Sequence, residues 1–542
     1  MNQKLYTNGT ILTMDEDLPQ AGAVLVEDGM IAAVGTREAL TAQAPAAEIV
    51  DLAGQTLLPG FIDSHSHMVF SCLFPRFDAP PAGTIDSVDA LVAAIRAWLD
   101  AHPVKGDAWL VGMGYDHTVF ADGRHPTRWD LDRASSEVPI VMMHASGHVG
   151  CANSKVLEIC GITRDTPDPE GGIYVRDPAT GEPNGMMEEA ALLKETLGKM
   201  PLPTPEFMME GVLRAEHMYL RNGITTAQDG SFALDSIPLV AGLHQMGRSK
   251  IDLYTYPKID LLAEGDAARI PRSAEAVYEN GVKVAGVKFF LDGSPQAKTA
   301  WLSAPYYIVP EGEPEDYRGY PVQPDDDVVC GYFRQCLQNG WQILVHCNGD
   351  AAIDQFIDQY ARAQKETGIT EDLRPVVVHC QTVREDQLDR MQAIGMRPTF
   401  FHDHVYLWGD LHLDSVLGPE RGRRISPLAS AEKRGMRYTL HQDTPVIEPN
   451  MILSLHHAVN RRTKSGRPIG PEYAVTPLQA LRALTIHAAH QIFEEDSKGS
   501  ITAGKRADLV ILDKDPTKVA PENLKDIRVM QTIKDGETVY ER

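Results

Sequence analysis

Short apolar runs ending on polar residues alternate along this chain with stretches of helical period. The runs "TLLPGFIDSH", "VPIVMMHASGH", "GITTAQDG", "AGVKFFLDG", "WQILVHCNGD", "PVVVHCQT", "MRPTFFHDH" and "MRYTLHQD" predict eight strands. Val329, Tyr332, Phe333, Cys336 and Leu337 repeat at helical spacing, and Gly340 suits the helix end. Ile353, Phe356, Ile357, Tyr360 and Ala361 repeat that pattern after "ILVHCNGD". After "VVVHCQ", Thr382 and Glu385 read as a capping box and Gly395 as a stop. Uniformly apolar strands alternating with helices predict an α/β protein with a parallel sheet under a helical cover. Eight repeats fit a (β/α)8 TIM barrel, with an open doubly wound sheet as the alternative.

The two ends are patterned differently. "KLYTNGTILTM" and "GAVLVEDGMIAAVG" are short apolar stretches broken by Asn-Gly and Asp-Gly, both hairpin signals. "GSITAGKRADLVILDKDP" and "VMQTIKDGETVYER" repeat this at the far end, with another turn at Asp535-Gly536. The expectation is a small β-sandwich built from both termini, residues 1–58 and 489–542, flanking a barrel over 59–488. Far more chain than one βα unit needs follows the first barrel strand. It predicts an inserted subdomain at about 76–215, in which "GGIYVRDPATGEPNGMM" reads as a hairpin.

Composition narrows the function classes. The chain has 542 residues, 43% hydrophobic and 23% charged, enough apolar material for a large core. Its net charge of −24 disfavours nucleic acid and anionic membranes as partners. The first residues lack the basic and apolar regions of a signal peptide, and no apolar run is long enough to span a membrane. Seven scattered cysteines (Cys72, Cys151, Cys160, Cys330, Cys336, Cys347 and Cys380), with no CxxC pair, point to a reducing compartment, by default the cytoplasm.

Chemistry enters with "GFIDSHSHMVF". On a strand, His65 and His67 would face the same side. In a barrel, functional groups collect where strands finish. The first strand offers His65 and His67, the fourth contains Lys288, the fifth ends at His346, the sixth at His379 and the eighth at Asp443. Four imidazoles, a carboxylate and a lysine make a metal site, since neutral imidazole and carboxylate are ligands for zinc and similar ions. A neutral Lys288 amine can add CO2 to give a carbamate able to bridge two ions; unmodified, it is a structural or substrate-contacting cation. Metal-activated hydroxide would attack a carbonyl or amidine carbon, and Asp443 would carry the proton from water to the leaving nitrogen. Cys347 and Cys380 alternate away from this face and read as packing thiols. His402, His404, His456 and His457 fall near the expected mouth, whereas His102, His125 and His487 read as surface or capping residues.

The ordered set "LPGFIDSHSH", "GVKFFLDGS", "VHCNGDAAID", "VVVHCQ", "HQDTPV" and "GSITAGKRADLVILD" resembles the amidohydrolase superfamily. More narrowly, it resembles the YtcJ-like branch that includes N-substituted formamide deformylases. The resemblance runs nearly end to end. It implies a (β/α)8 barrel with a terminal β-sandwich and a centre of one or two metal ions, usually zinc. It implies His65 and His67 as the first-strand metal pair, Lys288 as the carboxylated bridging lysine, His346 and His379 as further ligands, and Asp443 as the catalytic acid/base. "HASGHVGCANS" resembles a segment near the substrate and nominates His148 for substrate binding, a structural loop histidine being the alternative. One departure is local: where the branch usually has Ser-Asp-x-Pro, this chain reads His441-Gln442-Asp443-Thr444-Pro445. The expected function is metal-dependent hydrolysis of an amide-type C–N bond in a small molecule. A deaminase or cyclic-amide hydrolase of the same superfamily, or a non-catalytic metal-binding scaffold, are the alternatives. A homodimer is left open.

Overall fold

The computed structural model describes residues 3–71, 85–104, 106–117, 120–201 and 204–542. Its apolar strands pair in parallel and are almost wholly buried, as strands under a helical cover must be. Phe61–Ile62, Ile224–Gly230, Asp252–Tyr256 and Val282–Val284 form one parallel run. Gly286–Phe290, Gln342–Cys347, Val376–His379, Arg397–Phe400 and Thr439–Leu440 form a second. The runs join at Ala285, whose N–H bonds Thr255 O at 2.9 Å, so that 282–290 acts as one interrupted fourth strand. At the opposite seam, the Ser64 hydroxyl donates to Leu440 O at 2.9 Å and the His67 N–H to Thr444 O at 2.7 Å. The first and eighth strands therefore meet, and the barrel closes.

Helices cover the barrel where the periodicity places them. Asp326–Asn339 buries Val329, Phe333, Cys336 and Leu337, and Asp350–Thr367 buries Ile353, Phe356, Ile357 and Tyr360, in one core with Ile343, Val345 and Val377. Each fully buried aliphatic or Phe side chain of this kind contributes about 1.5–3 kcal/mol relative to exposure. Gly340 ends the first helix with a φ of 68°. The predicted capping box does not form: the Thr382 hydroxyl donates to Asn348 O at 2.8 Å, and the helix Glu385–Ala393 is instead started by Gln387 Oε1 accepting the Arg384 N–H at 3.0 Å.

The strand assignment needs one correction. Ile140–His144, within "VPIVMMHASGH", lies outside the barrel in a separate five-stranded sheet. The missed barrel strand is Asp252–Tyr256, "DLYTY". Its apolar signal is broken by Asp252, which is buried against Lys498, Lys534 and Arg506 at the base of the barrel. The connection after it is made of short 3-10 turns, Ile259–Leu261, Asp266–Arg269 and Ser273–Glu275.

Both termini enter one eight-stranded sheet. Thr56–Pro59 pairs antiparallel with Leu509–Leu512, and Tyr6, Val24, Leu57, Leu509 and Ile533 share a core. Asp28-Gly29 and Asp535-Gly536 are hairpin turns with positive φ at both residues, as their sequences predict. Asn8-Gly9 is not a turn. It makes a bulge inside the strand Gln3–Leu12, with Asn8 at φ 63° and its amide donating to Asp51 Oδ1 at 2.6 Å. A Cβ on Gly9 would lie 2.4 Å from Gln55 O, so the close approach requires glycine.

The insertion contains a sheet of Leu110–Tyr115, Ile140–His144, Val149–Ala152, Gly172–Arg176 and Pro183–Glu189, the last two forming the predicted hairpin. Its expected start at 76 and Cys72 lie outside the described residues. The other six cysteines are buried free thiols, Cys347 and Cys380 in the main barrel core. Among the described residues, no helix is long and apolar enough to cross a membrane.

Candidate metal centre and active site

The barrel gathers His65, His67, Lys288, His346, His379 and Asp443 into one space. The His65 ring lies 5.2 Å from that of His67 and 5.6 Å from that of His379, and His346 lies 4.5 Å from His379. Asp443 Oδ1 is 3.4 Å from His65 Nε2 and 3.5 Å from His67 Nε2, while Oδ2 is 3.9 Å from His379 Nε2. Lys288 Nζ stands 3.2 Å from His65 Nε2.

The backbone is bent to achieve this. His379, Cys380 and Asp443 adopt left-handed φ values of 67°, 49° and 54°, a conformation that costs non-glycine residues about 1–3 kcal/mol each. Cys380 N–H to Cys347 O at 3.1 Å and Asp443 N–H to His65 O at 3.3 Å hold the bends.

A surrounding layer of hydrogen bonds sets which nitrogen of the His65, His346 and His379 imidazoles faces inward. His65 Nδ1 meets Gln228 Oε1, and the Gln228 amide nitrogen is fixed on Ser64 O at 2.8 Å. The Gln228 oxygen must therefore accept, which puts the His65 proton on Nδ1 and the lone pair on Nε2. His346 Nδ1 lies 3.2 Å from Asp292 Oδ1, and Asp292 also accepts the N–H groups of Asn348, Gly349 and Trp301. Burial still pushes the Asp292 carboxyl up to about 7. For His379, a chain runs from Nδ1 to His441 Nε2 at 3.1 Å, from His441 Nδ1 to Thr399 Oγ1 at 2.9 Å, and on to Ser64 Oγ at 3.0 Å. Ser64 spends its proton on Leu440 O, so every link in the chain can be satisfied with the His379 Nε2 lone pair facing inward. His441, the departure from the branch motif, thus positions His379. Gln228, Asp292 and His441 were not predicted; no local pattern marks them, because each is defined by a contact distant in sequence.

Burial keeps the His65, His346 and His379 imidazoles neutral. Burial, then Lys288, hold His65 well below its ordinary value, and burial likewise lowers His346 and His379. Burial also lowers the Lys288 amine to about 7, against the opposing pull of Asp443. Burial would raise the Asp443 carboxyl, but positive charge on the surrounding His67, His65 and His441 imidazoles, where one takes a proton, outweighs burial and holds it well below the usual range.

This donor set fits a divalent cation. Asp443 Oδ1 is buried without a hydrogen-bond donor, and His65, His379 and Asp443 offer ligand atoms within 4.8 Å of one another. A buried carboxylate oxygen facing inward-directed imidazole lone pairs needs a positive charge among them.

A small cavity opens on the cluster, lined by His148, Ser146, Ser294, Gln296, Asn348 and His404. His148 Nδ1 lies 3.0 Å from Glu189 Oε2, and its ring is 5.2 Å from that of His346. Burial would lower His148, but the Glu189 carboxylate outweighs it and raises the imidazole. Of the four mouth histidines, His404 reaches this cavity. His457 is paired to Asp403, His402 faces His457 O at 3.2 Å, and His456 contacts Asn460. His102 is an exposed helix cap as predicted, whereas His125 stacks on His117 and His487 is held on Tyr438 O at 3.2 Å. A larger cavity of about 440 Å³ lies elsewhere, beside Ile237, Pro238 and Val277, with no histidine or cysteine among its lining residues.

Residues 48–540 match the amidohydrolase family profile. The chain belongs to the amidohydrolase family. A shorter stretch, residues 22–47, matches an imidazolonepropionase-like composite domain of bacteria. This amidohydrolase is similar to an N-substituted formamide deformylase of Arthrobacter pascens, 29% identical over 100% of this chain and 99% of the relative. It is similar also to the putative amidohydrolase YtcJ of Bacillus subtilis, 27% identical over 99% of each chain. Its fold matches the crystal structure of an uncharacterized metal-dependent hydrolase from Pyrococcus furiosus with a TM-score of 0.73 at 24% identity, covering 95% of this chain and 100% of that one.

Proposed function

We propose that this amidohydrolase cleaves an amide-type C–N bond of a small molecule with a divalent metal centre. One observation carries the reading: the Asp443 carboxylate lies 3.4–3.9 Å from three imidazole nitrogens, beside a small cavity at the ends of the barrel strands. His65, His67, Lys288, His346 and His379 would hold one or two ions, zinc by the chemistry of the donors. A metal at this site would supply Lewis acidity, lowering the pKa of water and polarising a carbonyl oxygen. Asp443 takes the proton from the attacking water and returns it to the leaving nitrogen. His148, oriented by Glu189, binds substrate across the cavity from His346. Lys288, lowered to about 7, has a substantial neutral fraction at neutral pH, the form that adds CO2 and loses a proton to become a carbamate. Buried free cysteines suit a reducing compartment such as the cytoplasm.

The full-length similarity to a formamide deformylase puts N-substituted formamides first in a substrate panel, followed by linear amides, lactams and aminated heterocycles. The expected result is release of an acid and an amine by zinc-loaded protein, abolished together with metal binding in His346→Ala. Ammonia release confined to the heterocycles would replace this reading with deamination. Turnover undiminished after removal of the metal would overturn it.

A further inference from the structure

His404 lines the catalytic cavity, yet neither metal binding nor proton transfer uses it. Its ring is packed rather than hydrogen-bonded. It lies 4.1 Å from the Phe401 ring, 5.2 Å from that of Trp408 and 6.2 Å from that of His412, between centroids. The Trp408 indole N–H is in turn held on Asp116 Oδ2 at 3.2 Å, and the His404 backbone N–H on Phe401 O at 3.2 Å. These contacts fix the imidazole without consuming either of its nitrogens.

The position of its proton follows. Nδ1 is buried without a hydrogen-bond partner, and among the described residues no protein group bonds Nε2. Burial holds the ring well below its ordinary value, so it is neutral and carries a proton on one nitrogen only. A proton on Nδ1 would be sealed away with no acceptor, and orphaned buried N–H groups are rarer than orphaned acceptors. A lone pair there is the smaller loss. The proton therefore sits on Nε2, where the ring meets the cavity, and makes it a hydrogen-bond donor.

The cavity gives that donor a target. His404 and Phe401 flank His379, at 6.3 and 6.2 Å between ring centroids, while His148 and Asn348 flank His346. The two cavity imidazoles differ in character. His148 is raised by Glu189, whereas the neutral His404 stands beside the apolar Phe401 and Val446. We propose that His404 is a catalytic residue whose Nε2–H donates a hydrogen bond to the carbonyl oxygen of the substrate and holds that oxygen as it gains charge. This rests on the hydrolytic reading of the site. As the water oxygen bonds to the carbonyl carbon, the π pair of the C=O bond moves onto its oxygen; His404 keeps its proton throughout. When the pair returns, the C–N bond breaks and the leaving nitrogen takes its proton from Asp443. A fixed donor in a buried site acts on the developing charge more strongly than on the neutral carbonyl, so its contribution falls on kcat.

The test begins with the proton. Neutron diffraction from deuterium-exchanged crystals of the full-length protein should show deuterium on His404 Nε2 and none on Nδ1, a readout that needs neither metal nor substrate. The contact is read with acetohydroxamate, a small zinc-binding compound with a carbonyl oxygen. His404→Phe keeps an aromatic ring beside Phe401 and Trp408 but has no donor. It should weaken acetohydroxamate binding to zinc-loaded protein about 10–100-fold. His404→Gln restores an N–H at similar reach and should lose less. Zinc content should be unchanged in both variants. On N-substituted formamides, His404→Phe should lower kcat about 10²–10³-fold with little change in KM. Deuterium on Nδ1 alone, equal acetohydroxamate affinity in His404→Phe, or zinc lost from that variant would overturn the assignment and leave the hydrolase reading standing. An inert substrate panel with the acetohydroxamate effect intact would sink that reading and keep the contact.

Discussion

His65 gives its Nδ1 proton to the side-chain carbonyl of Gln228, and Gln228 can only accept, because its amide nitrogen is anchored 2.8 Å from Ser64 O. This contact crosses from the first barrel strand to the second and fixes the His65 tautomer. Gln228→Leu should therefore weaken zinc binding by about 10–100-fold, the usual effect of losing a partner of a ligating histidine. Gln228→Glu keeps an acceptor and should lose much less. Competition with a fluorescent chelator measures both; equal affinities in Gln228→Leu and the unsubstituted protein would show that the tautomer is set elsewhere.

Gly230 enforces the same geometry from behind the ring. A Cβ there would lie 2.8 Å from His65 Cε1 and 3.3 Å from Nδ1, closer than carbon contacts allow. Gly230→Ala should displace the imidazole, so activity and zinc content should fall together while the far-ultraviolet circular dichroism is kept. Full zinc occupancy in this variant would mean that His65 yields without losing its place.

Asp443 is assigned proton transfer as well as proximity to the imidazoles. Asp443→Asn preserves its size and removes its basicity, so kcat should drop about 10²–10⁴-fold. The loss should persist when the variant is saturated with zinc, which separates proton transfer from metal retention. Recovery of kcat on adding zinc would reduce Asp443 to a ligand.

The sequence exposes the site residues for a physical reason. His65, Lys288, His346, His379 and Asp443 sit on or just beyond apolar runs, and a barrel brings such strand ends to one face. Partners are not legible in this way. Gln228 reaches His65 across 163 residues, and His441 is recognisable only once His379 turns toward it through a left-handed bend. The insertion misleads more directly: Ile140–His144 is as apolar as a barrel strand, and periodicity cannot say which sheet will take it. Asp252–Tyr256 fails the opposite way, because its aspartate is buried by pairing with lysines from the other end of the chain.

That pairing makes a prediction about stability. Asp252 Oδ2 receives Lys498 Nζ at 2.5 Å, Lys534 Nζ at 2.9 Å and Arg506 at 2.9 Å, linking the third barrel strand to the terminal sheet. Burial would raise its carboxyl, but Lys498, Lys534 and Arg506 outweigh burial and depress it below the ordinary value. Asp252→Asn removes the one carboxylate these three cations share, leaving Lys498 on Glu494, Lys534 on Asp508 and Arg506 on Asp535, and should destabilise the protein at neutral pH by less than the about 3–5 kcal/mol of a buried pair broken outright. A depressed folded-state pKa gives stability that is present above the unfolded value of about 3.9 and is lost as pH falls through the folded one. The gap between Asp252→Asn and the unsubstituted protein in urea denaturation should hold steady in mild acid and narrow only below about pH 4. A gap that closes at higher pH would place the titrating group elsewhere, and the absence of any gap would show that Glu494, Asp508 and Asp535 suffice for the three cations.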